Sequence, residues 1–283
     1  MSDKNLLSIY AKSFNWAGFF LPKETYNKCS ALYDFCRIAD NIADDDEKIE
    51  RKKTKFIQLE KDFNQKNFNN TIIKNMWSLI DEFNISLNIV HDLFDGIKFD
   101  INEKVKINSK KDLLVYSYRV AGTVGLMMAK ILKVNKKSSL KSAIDLGIAM
   151  QLTNISRDVV EDLKKNRSYI NHSFDEIKST IKLADDFYES CFYSIKEIPL
   201  NLRLSILVAR RIYRKIGYKI INKKNLKNYE KSGKIYVSNL EKTLETFLSF
   251  FDLIKLSLLN KDDSKIEHNH SIINEEINLD ERI

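Results

Sequence analysis

Acid and amide side chains recur at four-residue intervals in the stretch QLTNISRDVVED, residues 151–162. If this stretch is helical, Asn154, Asp158 and Asp162 share one face, because residues i and i+4 are neighbours on a helix surface. Apolar residues lie immediately beside that face, so the acids border a buried surface. A single pair of acids at this spacing repels modestly and usually marks a solvated face.

A second stretch, LYDFCRIADNIADD at residues 32–45, repeats the pattern. Helical geometry gathers Tyr33, Arg37, Asp40 and Asp44 within roughly 60° of arc. Like charges beside a core need a counter-cation, because an unpaired buried charge is costly. Oxygen ligands without His or Cys favour a hard ion, Mg²⁺ first and Mn²⁺ second.

Arginines in both stretches indicate an anionic substrate. Mg²⁺ usually binds one or two carboxylates and completes its coordination with water and substrate phosphate. Arg37 and Arg157 can each grip phosphate oxygens through two parallel hydrogen bonds. The two stretches therefore predict a metal-bridged diphosphate between two facing helices.

A third stretch, YSYRVAGTVGLMMAKIL at residues 116–132, places two glycines in a helical pattern. Gly122 and Gly125 each cost a helix about 1 kcal/mol relative to Ala, so a compensating role is expected. Two alternatives remain open: close helix packing, or space for a long apolar ligand with Tyr116 and Arg119 near its charged end.

The composition indicates an all-helical protein. The 283 residues include only 7 Gly and 2 Pro, far below the average usage of about 7% and 5%. The hydrophobic content of 43% is ample for a buried core. Apolar periodicity predicts helices near residues 24–43, 50–63, 71–80, 85–98, 111–132, 138–163, 174–195, 199–221 and 238–259.

Charge divides the chain into a basic body and an acidic tail. No linker rich in Pro, Gly or Ser interrupts residues 1–259, so one helical domain is expected there. Residues 260–283 carry three basic and seven acidic residues, a net charge of 3 − 7 = −4, and are predicted to be disordered. The whole chain carries +8, which leaves +12 on the body. Such a body suits a nucleic acid, an anionic membrane or a phosphorylated substrate.

Several function classes are disfavoured by the sequence. The three cysteines are scattered and form neither a disulfide framework nor a metal-type spacing. The first residues lack the apolar core of a signal peptide, and residues 247–259 are too short and too charged for a membrane span of about 20 residues. Basic residues are dispersed rather than clustered on a groove-reading element, so no nucleic-acid partner is expected. We expect a cytoplasmic protein, peripheral to the inner face of the cell membrane.

Four stretches together resemble the squalene/phytoene synthase family, in order and spacing, from about residue 8 to 245. They are SFNWAGFFLP, ALYDFCRIADNIADD, YSYRVAGTVGLMMA and QLTNISRDVVEDLKKNRSYI. RVAGTVGLMM and QLTNISRDVVED look most like the bacterial phytoene synthases of that family. The resemblance implies an all-α isoprenoid synthase fold, in which two aspartate-rich helices flank a central cavity.

The resemblance also implies a metal site. Asp40 and Asp44 correspond to the family's first metal-binding motif. Asn154, Asp158 and Asp162 correspond to the second. The first motif reads Asp-Asn where many relatives have Asp-Asp, but both acids at i and i+4 remain, so we expect activity to survive.

Substrate-binding positions follow from the same resemblance. Arg37, Tyr33, Arg157 and Gln151 fall where the family holds diphosphates. The remaining matches are Ser13 and Phe14 in the N-terminal Ser-Phe stretch, Arg167 and Tyr169 after the second motif, and Lys234 near a position where the family often has Arg.

The implied reaction joins two allylic prenyl diphosphates head to head, with Tyr33 and the four motif aspartates as catalytic residues. Loss of one diphosphate leaves an allylic cation, which the second substrate attacks to form a cyclopropyl diphosphate. A second ionisation, rearrangement and proton loss would give phytoene from two geranylgeranyl diphosphates. The alternatives are a C30 synthase that uses farnesyl diphosphate to make dehydrosqualene, squalene or presqualene diphosphate, and a non-catalytic family member that acts as an assembly or binding protein.

Overall fold

The computed structural model describes residues 12–258 and 267–283, which are mostly helical, and so the predicted all-α class is confirmed. Two two-residue strands, β1 (Val105–Lys106) and β2 (Arg167–Ser168), pair in parallel. A π-helical turn spans Tyr118–Gly122 and a 3₁₀ turn spans Tyr193–Glu197. The α-helices are α1 (Lys12–Gly18), α2 (Lys23–Asp44), α3 (Ile49–Asn64), α4 (Thr71–Phe83), α5 (Leu87–Asp100), α6 (Lys110–Ser117), α7 (Thr123–Ile131), α8 (Lys137–Lys164), α9 (Phe174–Ser190), α10 (Leu200–Ile221), α11 (Leu226–Lys231), α12 (Asn239–Leu258), α13 (Glu267–Asn274) and α14 (Leu279–Arg282).

The two acid-bearing stretches lie near the C-terminal ends of α2 and α8. Helix α2 follows Pro22 and packs against α4, α5 and α7. Helix α8 is the longest helix in the described residues and packs against α7, α9 and α10. Asn166 adopts a left-handed conformation with φ 57° just after α8, which Asn tolerates better than most residues. The chain therefore turns directly into β2.

Glycines allow α7 and α8 to pack closely. A Cβ at Gly147 would lie 2.7 Å from the carbonyl carbon of Ala121 and 2.9 Å from the Cα of Gly122. A Cβ at Gly125 would lie 3.1 Å from the carbonyl carbon of Ala143 and closer still to its oxygen. Of the two alternatives for the glycine-containing stretch, the structure supports close packing.

The helix predicted over residues 111–132 is corrected in one respect. It is not uniformly α-helical, because the π turn at Tyr118–Gly122 separates α6 from α7. A π turn accommodates one extra residue and shifts the later register by about one position. Apolar periodicity is too coarse to reveal such a shift. Similarly, the helix predicted to reach residue 195 ends at Ser190 and is followed by the 3₁₀ turn.

The expectation of a disordered tail over residues 260–283 is wrong for residues 267–283. Those residues form α13 and α14, and Ile273, Ile277 and Leu279 are buried in the same core as the body. Residues 260–266 lie outside the described residues. Composition alone missed the docking because a few well-placed apolar residues can anchor a polar segment.

Charge complementarity also holds these two helices. The acidic residues that suggested disorder are matched by basic residues of the body. Arg282 also reaches the body, where its Nε donates to Asp92 Oδ2 at 2.8 Å. The other pairs are Lys111–Glu275, Arg119–Glu276, Lys141–Asp280 and His270–Asp145.

Within residues 12–258 and 267–283, no helix is both long enough and apolar enough to cross a bilayer.

Gly147→Ala is expected to lower the free energy of unfolding by about 1–3 kcal/mol, the usual cost of overpacking a tight core. The new methyl group would collide with backbone atoms of the π turn that precedes α7, which move less easily than side chains. Chemical unfolding followed by circular dichroism measures the change.

Gly217→Ala is the matched control. Its added Cβ would meet only side-chain atoms of Ile181, at 3.2 and 3.4 Å, and Ala favours a helix by about 1 kcal/mol over Gly. Equal effects of the two substitutions would contradict the proposed tight crossing of α7 and α8.

Candidate functional site

The guanidinium of Arg167 connects the two acid-bearing helices. Its Nη1 donates to Asp44 Oδ1 at 2.7 Å, and its Nη2 donates to the carbonyl oxygens of Ala43 at 2.8 Å and Asp100 at 3.1 Å. The pairing of Val105 with Arg167 across the two short strands holds the backbone at this place. The C-terminal end of α2 therefore meets the segment that follows α8.

The carboxylates of the two helices act on one another electrostatically. Burial, followed by the charge of Asp158, raises the pKa of Asp162 to about 7, and Asp100 and Asp44 contribute in the same direction. Burial and the charge of Asp44 raise the pKa of Asp40. The charge of Asp44 on α2 thus acts on Asp162 of α8, so the two motifs influence each other electrostatically.

Basic side chains balance part of this negative charge at the α2 motif. Arg37 Nη1 donates to Asp40 Oδ2 at 2.5 Å, and Lys165 lies 3.4 Å from Asp44. Burial acts to raise the pKa of Asp44, but its hydrogen bonds and charge interactions with Arg167 and Lys165 outweigh burial and lower it.

The α8 motif has a corresponding arrangement. Arg157 donates from Nε and Nη2 to the two carboxylate oxygens of Asp158, at 2.8 and 2.6 Å. Lys234 Nζ lies 3.3 Å from Asp158 and 2.6 Å from Glu161. The structure thus brings Lys234 to the second motif, although it follows a long polar connection in the sequence.

The donor atoms of the second motif fit a hard cation. Within the part of the chain that the structure describes, the side-chain Oδ1 of Asn154 is buried and accepts no hydrogen bond. The Nδ2 of the same amide lies 3.5 Å from Gln151 Oε1. Among the described residues, no three Asp, Glu, His or Cys side chains form a group that could hold a metal by themselves. An ion here would thus need oxygen ligands beyond these carboxylates, and phosphate oxygens commonly provide them for Mg²⁺.

Aromatic rings lie next to the charged groups. Burial raises the pKa of Tyr33 to about 12, although the nearby positive charge of Arg37 acts to lower it. The ring of Phe14, which follows the half-buried Ser13 in α1, lies 5.0 Å from the ring of Tyr213. Burial raises the pKa of Tyr213 to about 12 as well. The charge of Arg157 acts to lower this pKa, and the charge of Asp158 acts to raise it. Both phenols therefore stay neutral near neutral pH.

Asp100 is a site residue that sequence reasoning missed. Its two carboxylate oxygens accept hydrogen bonds from Tyr116 at 2.7 Å and Tyr169 at 2.6 Å, and the two rings stack at 4.7 Å. Its backbone oxygen accepts from Arg167. Asp100 is the last residue of α5 and is remote in sequence from both motifs, so no spacing rule connects it to them.

Three other residues complete the comparison with the sequence predictions. Arg119 is engaged away from the acid cluster: its Nη2 pairs at 3.0 Å with Glu276, which lies between α13 and α14. Tyr213 and Tyr229 were not predicted. Tyr229 donates to the carbonyl oxygens of Ser156 and Arg157 at 3.0 and 2.8 Å. On sequence alone, both tyrosines are indistinguishable from ordinary core residues.

Replacing Asp100 should change how stability depends on pH. Burial raises the pKa of this carboxyl from 3.8 to about 6, so the folded protein retains a proton that the unfolded chain releases. The contribution of Asp100 to stability therefore falls as pH rises through this window. The difference in unfolding free energy between Asp100→Asn and wild type should therefore change with pH. Between pH 4 and pH 8 it should shift in favour of the variant by up to about 3 kcal/mol. Urea unfolding at several pH values measures this gain, and a pH-independent difference would contradict the assignment.

Comparison with known proteins agrees with this geometry. The family model described as "Squalene/phytoene synthase" matches residues 8–174. The 15-cis-phytoene synthase of Pantoea ananas is 28% identical over 247 residues, covering 76% of this chain and 80% of the relative. The phytoene synthase of Cereibacter sphaeroides is 29% identical over 241 residues, covering 74% and 68%.

Solved structures give the same result for the fold. A crystal structure of a dehydrosqualene synthase in complex with ligand has a TM-score of 0.74 at 26% identity, covering 88% of this chain and 94% of that one. A squalene synthase from Alicyclobacillus acidocaldarius has a TM-score of 0.67 at 15% identity and supports the fold alone, with coverage of 79% and 92%. The family model spans more than half of the chain. The chain therefore belongs to the squalene/phytoene synthase family and is an all-α enzyme of the prenyltransferase type.

Proposed function

We propose that this enzyme condenses two geranylgeranyl diphosphates head to head into phytoene, through a cyclopropyl diphosphate. One observation carries the proposal: Arg167, which follows α8, donates to Asp44 of α2 at 2.7 Å, so that the ends of the two acid-bearing helices lie together. The names of the curated relatives, which are phytoene synthases, support the C40 product. We further propose that the helical body is one catalytic domain.

Binding of the diphosphate is assigned to the basic residues around the acids. Arg37, Arg157, Arg167 and Lys234 each already lie next to a motif aspartate, so phosphate oxygens can replace carboxylates as their partners with little movement. Arginine suits this task because its planar donors match phosphate geometry. Positive charge at this place stabilises the diphosphate as it leaves.

The aspartates and Asn154 are assigned to a divalent cation. Asp40, Asp44, Asp158 and Asp162 provide hard oxygen ligands, and the unpaired Oδ1 of Asn154 provides another. Bound Mg²⁺, or Mn²⁺ in its place, would supply Lewis-acid stabilisation of the departing diphosphate. Burial raises the pKa of Asp162, and the neighbouring carboxylates raise it further; a bound cation would relieve that repulsion.

The aromatic residues are assigned to the carbocation. A ring face attracts positive charge, and Phe14, Tyr33 and Tyr213 lie beside the charged groups at which ionisation would begin. Exclusion of water from this region prevents early quenching of the cation. Tyr116 and Tyr169 are assigned to positioning, since they hold Asp100 beside Arg167.

A C30 activity is the second candidate, because the dehydrosqualene synthase structure is 26% identical and has a TM-score of 0.74. Purified protein should be incubated with Mg²⁺ and either farnesyl or geranylgeranyl diphosphate, and the products identified by mass spectrometry. Phytoene from the C20 substrate is the expected result. A C30 product alone would support the second candidate, whereas no product from either substrate with folded protein would contradict both.

Asp158→Asn is expected to reduce kcat by about 100-fold or more, the scale seen when a group that stabilises developing charge is removed, and to raise the Mg²⁺ concentration needed for half-maximal rate. Steady-state assays across Mg²⁺ concentrations measure both effects. The matched control is Asp185→Asn, which breaks a similar two-point arginine pair, to Arg214, away from the acid cluster. Wild-type activity in Asp158→Asn, or equal losses in the two variants, would contradict the metal role.

Peripheral contact with an anionic membrane is a further part of the proposal, because the chain carries a net charge of +8 and the product is oily. In a co-sedimentation experiment at low salt, the protein is expected to pellet with anionic vesicles. Full recovery of the protein in the supernatant would contradict this contact.

A further inference from the structure

Helix α12 turns an apolar side outward. Six of its large apolar residues each expose at least 53% of their surface. They lie in one row along the helix, which we call the outer seam. The outer seam consists of Leu240, Leu244, Phe247, Phe251, Ile254 and Leu258.

The polar side of α12 faces the protein instead. Arg211 of α10 donates to Glu245 at 3.0 Å and to Asp252 at 2.7 Å. Lys219 of the same helix contacts Glu241 at 2.7 Å. The ion pairs with α10 use the acids of α12 and fix which side of the helix points outward.

The spacing of the outer seam keeps its members in one row. Successive members are four, three, four, three and four residues apart, the alternation of threes and fours by which one helix presents a continuous apolar row to a partner helix. The row extends over nearly the whole 20-residue helix, which is about 30 Å long.

The exposed area is large enough for a specific interface. Together with Phe250, the outer seam exposes roughly 900 Å² of apolar surface, taking about 200 Å² for a fully exposed side chain of this size. Monomers rarely expose contiguous apolar patches of more than a few hundred Å². A standard interface buries about 800 Å² per partner.

The outer seam is also symmetric about its centre. If a second α12 lies antiparallel with its midpoint opposite Ser249, every member meets another member of the same row. A two-fold dimer needs such a self-complementary surface. The facing pairs are Leu240 with Leu258, Leu244 with Ile254, and Phe247 with Phe251.

The edges of the row agree with this direction. Antiparallel pairing brings each Leu248 and each Phe250 to its own counterpart at the centre. We propose that α12 is a homodimer interface, in which it packs antiparallel against α12 of a second copy of this chain.

A lipid surface is a poorer match for this face. Helix α12 contains two Lys and three acidic residues, a net charge of 2 − 3 = −1, whereas helices that lie on anionic membranes are rich in Lys and Arg. Lys242 is buried. Lys255 is therefore the one basic residue of α12 that lies on its outer side.

The oligomeric state of the full chain tests the proposal. Sedimentation velocity should give a dimer at micromolar concentration, and Phe251→Glu should weaken the dimer by about tenfold or more, as expected for a central interface residue. Ile57→Glu is the matched control, because Ile57 is 64% exposed on α3 and lies outside the outer seam. A wild-type protein that stays monomeric up to about 100 μM, or a Phe251→Glu variant that dimerises as well as wild type, would overturn the proposal.

Cysteine cross-linking tests the direction of packing. Thr243→Cys and Ser257→Cys place thiols at exposed edge positions that face each other only between antiparallel copies. Under mild oxidation, a mixture of the two variants should form a cross-linked dimer well above the level of either variant alone or of wild type. Cross-linking that is equal in the single-variant samples, or absent from the mixture, would overturn the antiparallel interface.

Two further outcomes would assign the outer seam to another occupant and so overturn the proposal. One is a wild-type monomer that co-sediments with phosphatidylglycerol vesicles through Phe251. The other is a wild-type monomer whose unfolding temperature falls sharply in Phe251→Glu, which would indicate that another segment of the same chain covers this face.

Discussion

Burial of several like-charged carboxylates at one place is the constraint on which the rest of this structure depends. Asp40 and Asp162 both have raised pKa values because they are buried near other acids. Arg167 relieves part of this repulsion at Asp44 and ties α2 to the segment after α8. A folded chain that keeps such a cluster retains an unfavourable interaction, which a bound cation and a diphosphate would convert into binding energy.

The apolar architecture serves to hold this cluster in place. Helix α8 can carry its acids to the right position only because Gly125 lets α7 approach closely and Gly147 does the same for the π turn. Asn166, with its left-handed backbone, lies just after the end of α8 and turns the chain so that Arg167 reaches α2. Backbone geometry far from any charged atom thus determines where the charges meet.

Sequence reasoning reached the fold class and identified the helical faces that carry the acids. The acids of α2 and α8 were predictable because helical periodicity fixes which side chains share a face. Asp100 was not, because its role depends on Tyr116 and Tyr169 meeting it from two other elements. The docked residues of α13 and α14 were missed because composition measures average polarity, whereas Ile273 and Leu279 act through their individual positions.

We propose that the acids and the basic residues form one binding unit for metal and diphosphate. In such a unit each ligand strengthens the binding of the other, which calorimetric titration with inorganic pyrophosphate, with and without Mg²⁺, measures. Mg²⁺ is expected to tighten pyrophosphate binding by about tenfold or more. Equal pyrophosphate affinity in the presence and absence of Mg²⁺ would contradict it.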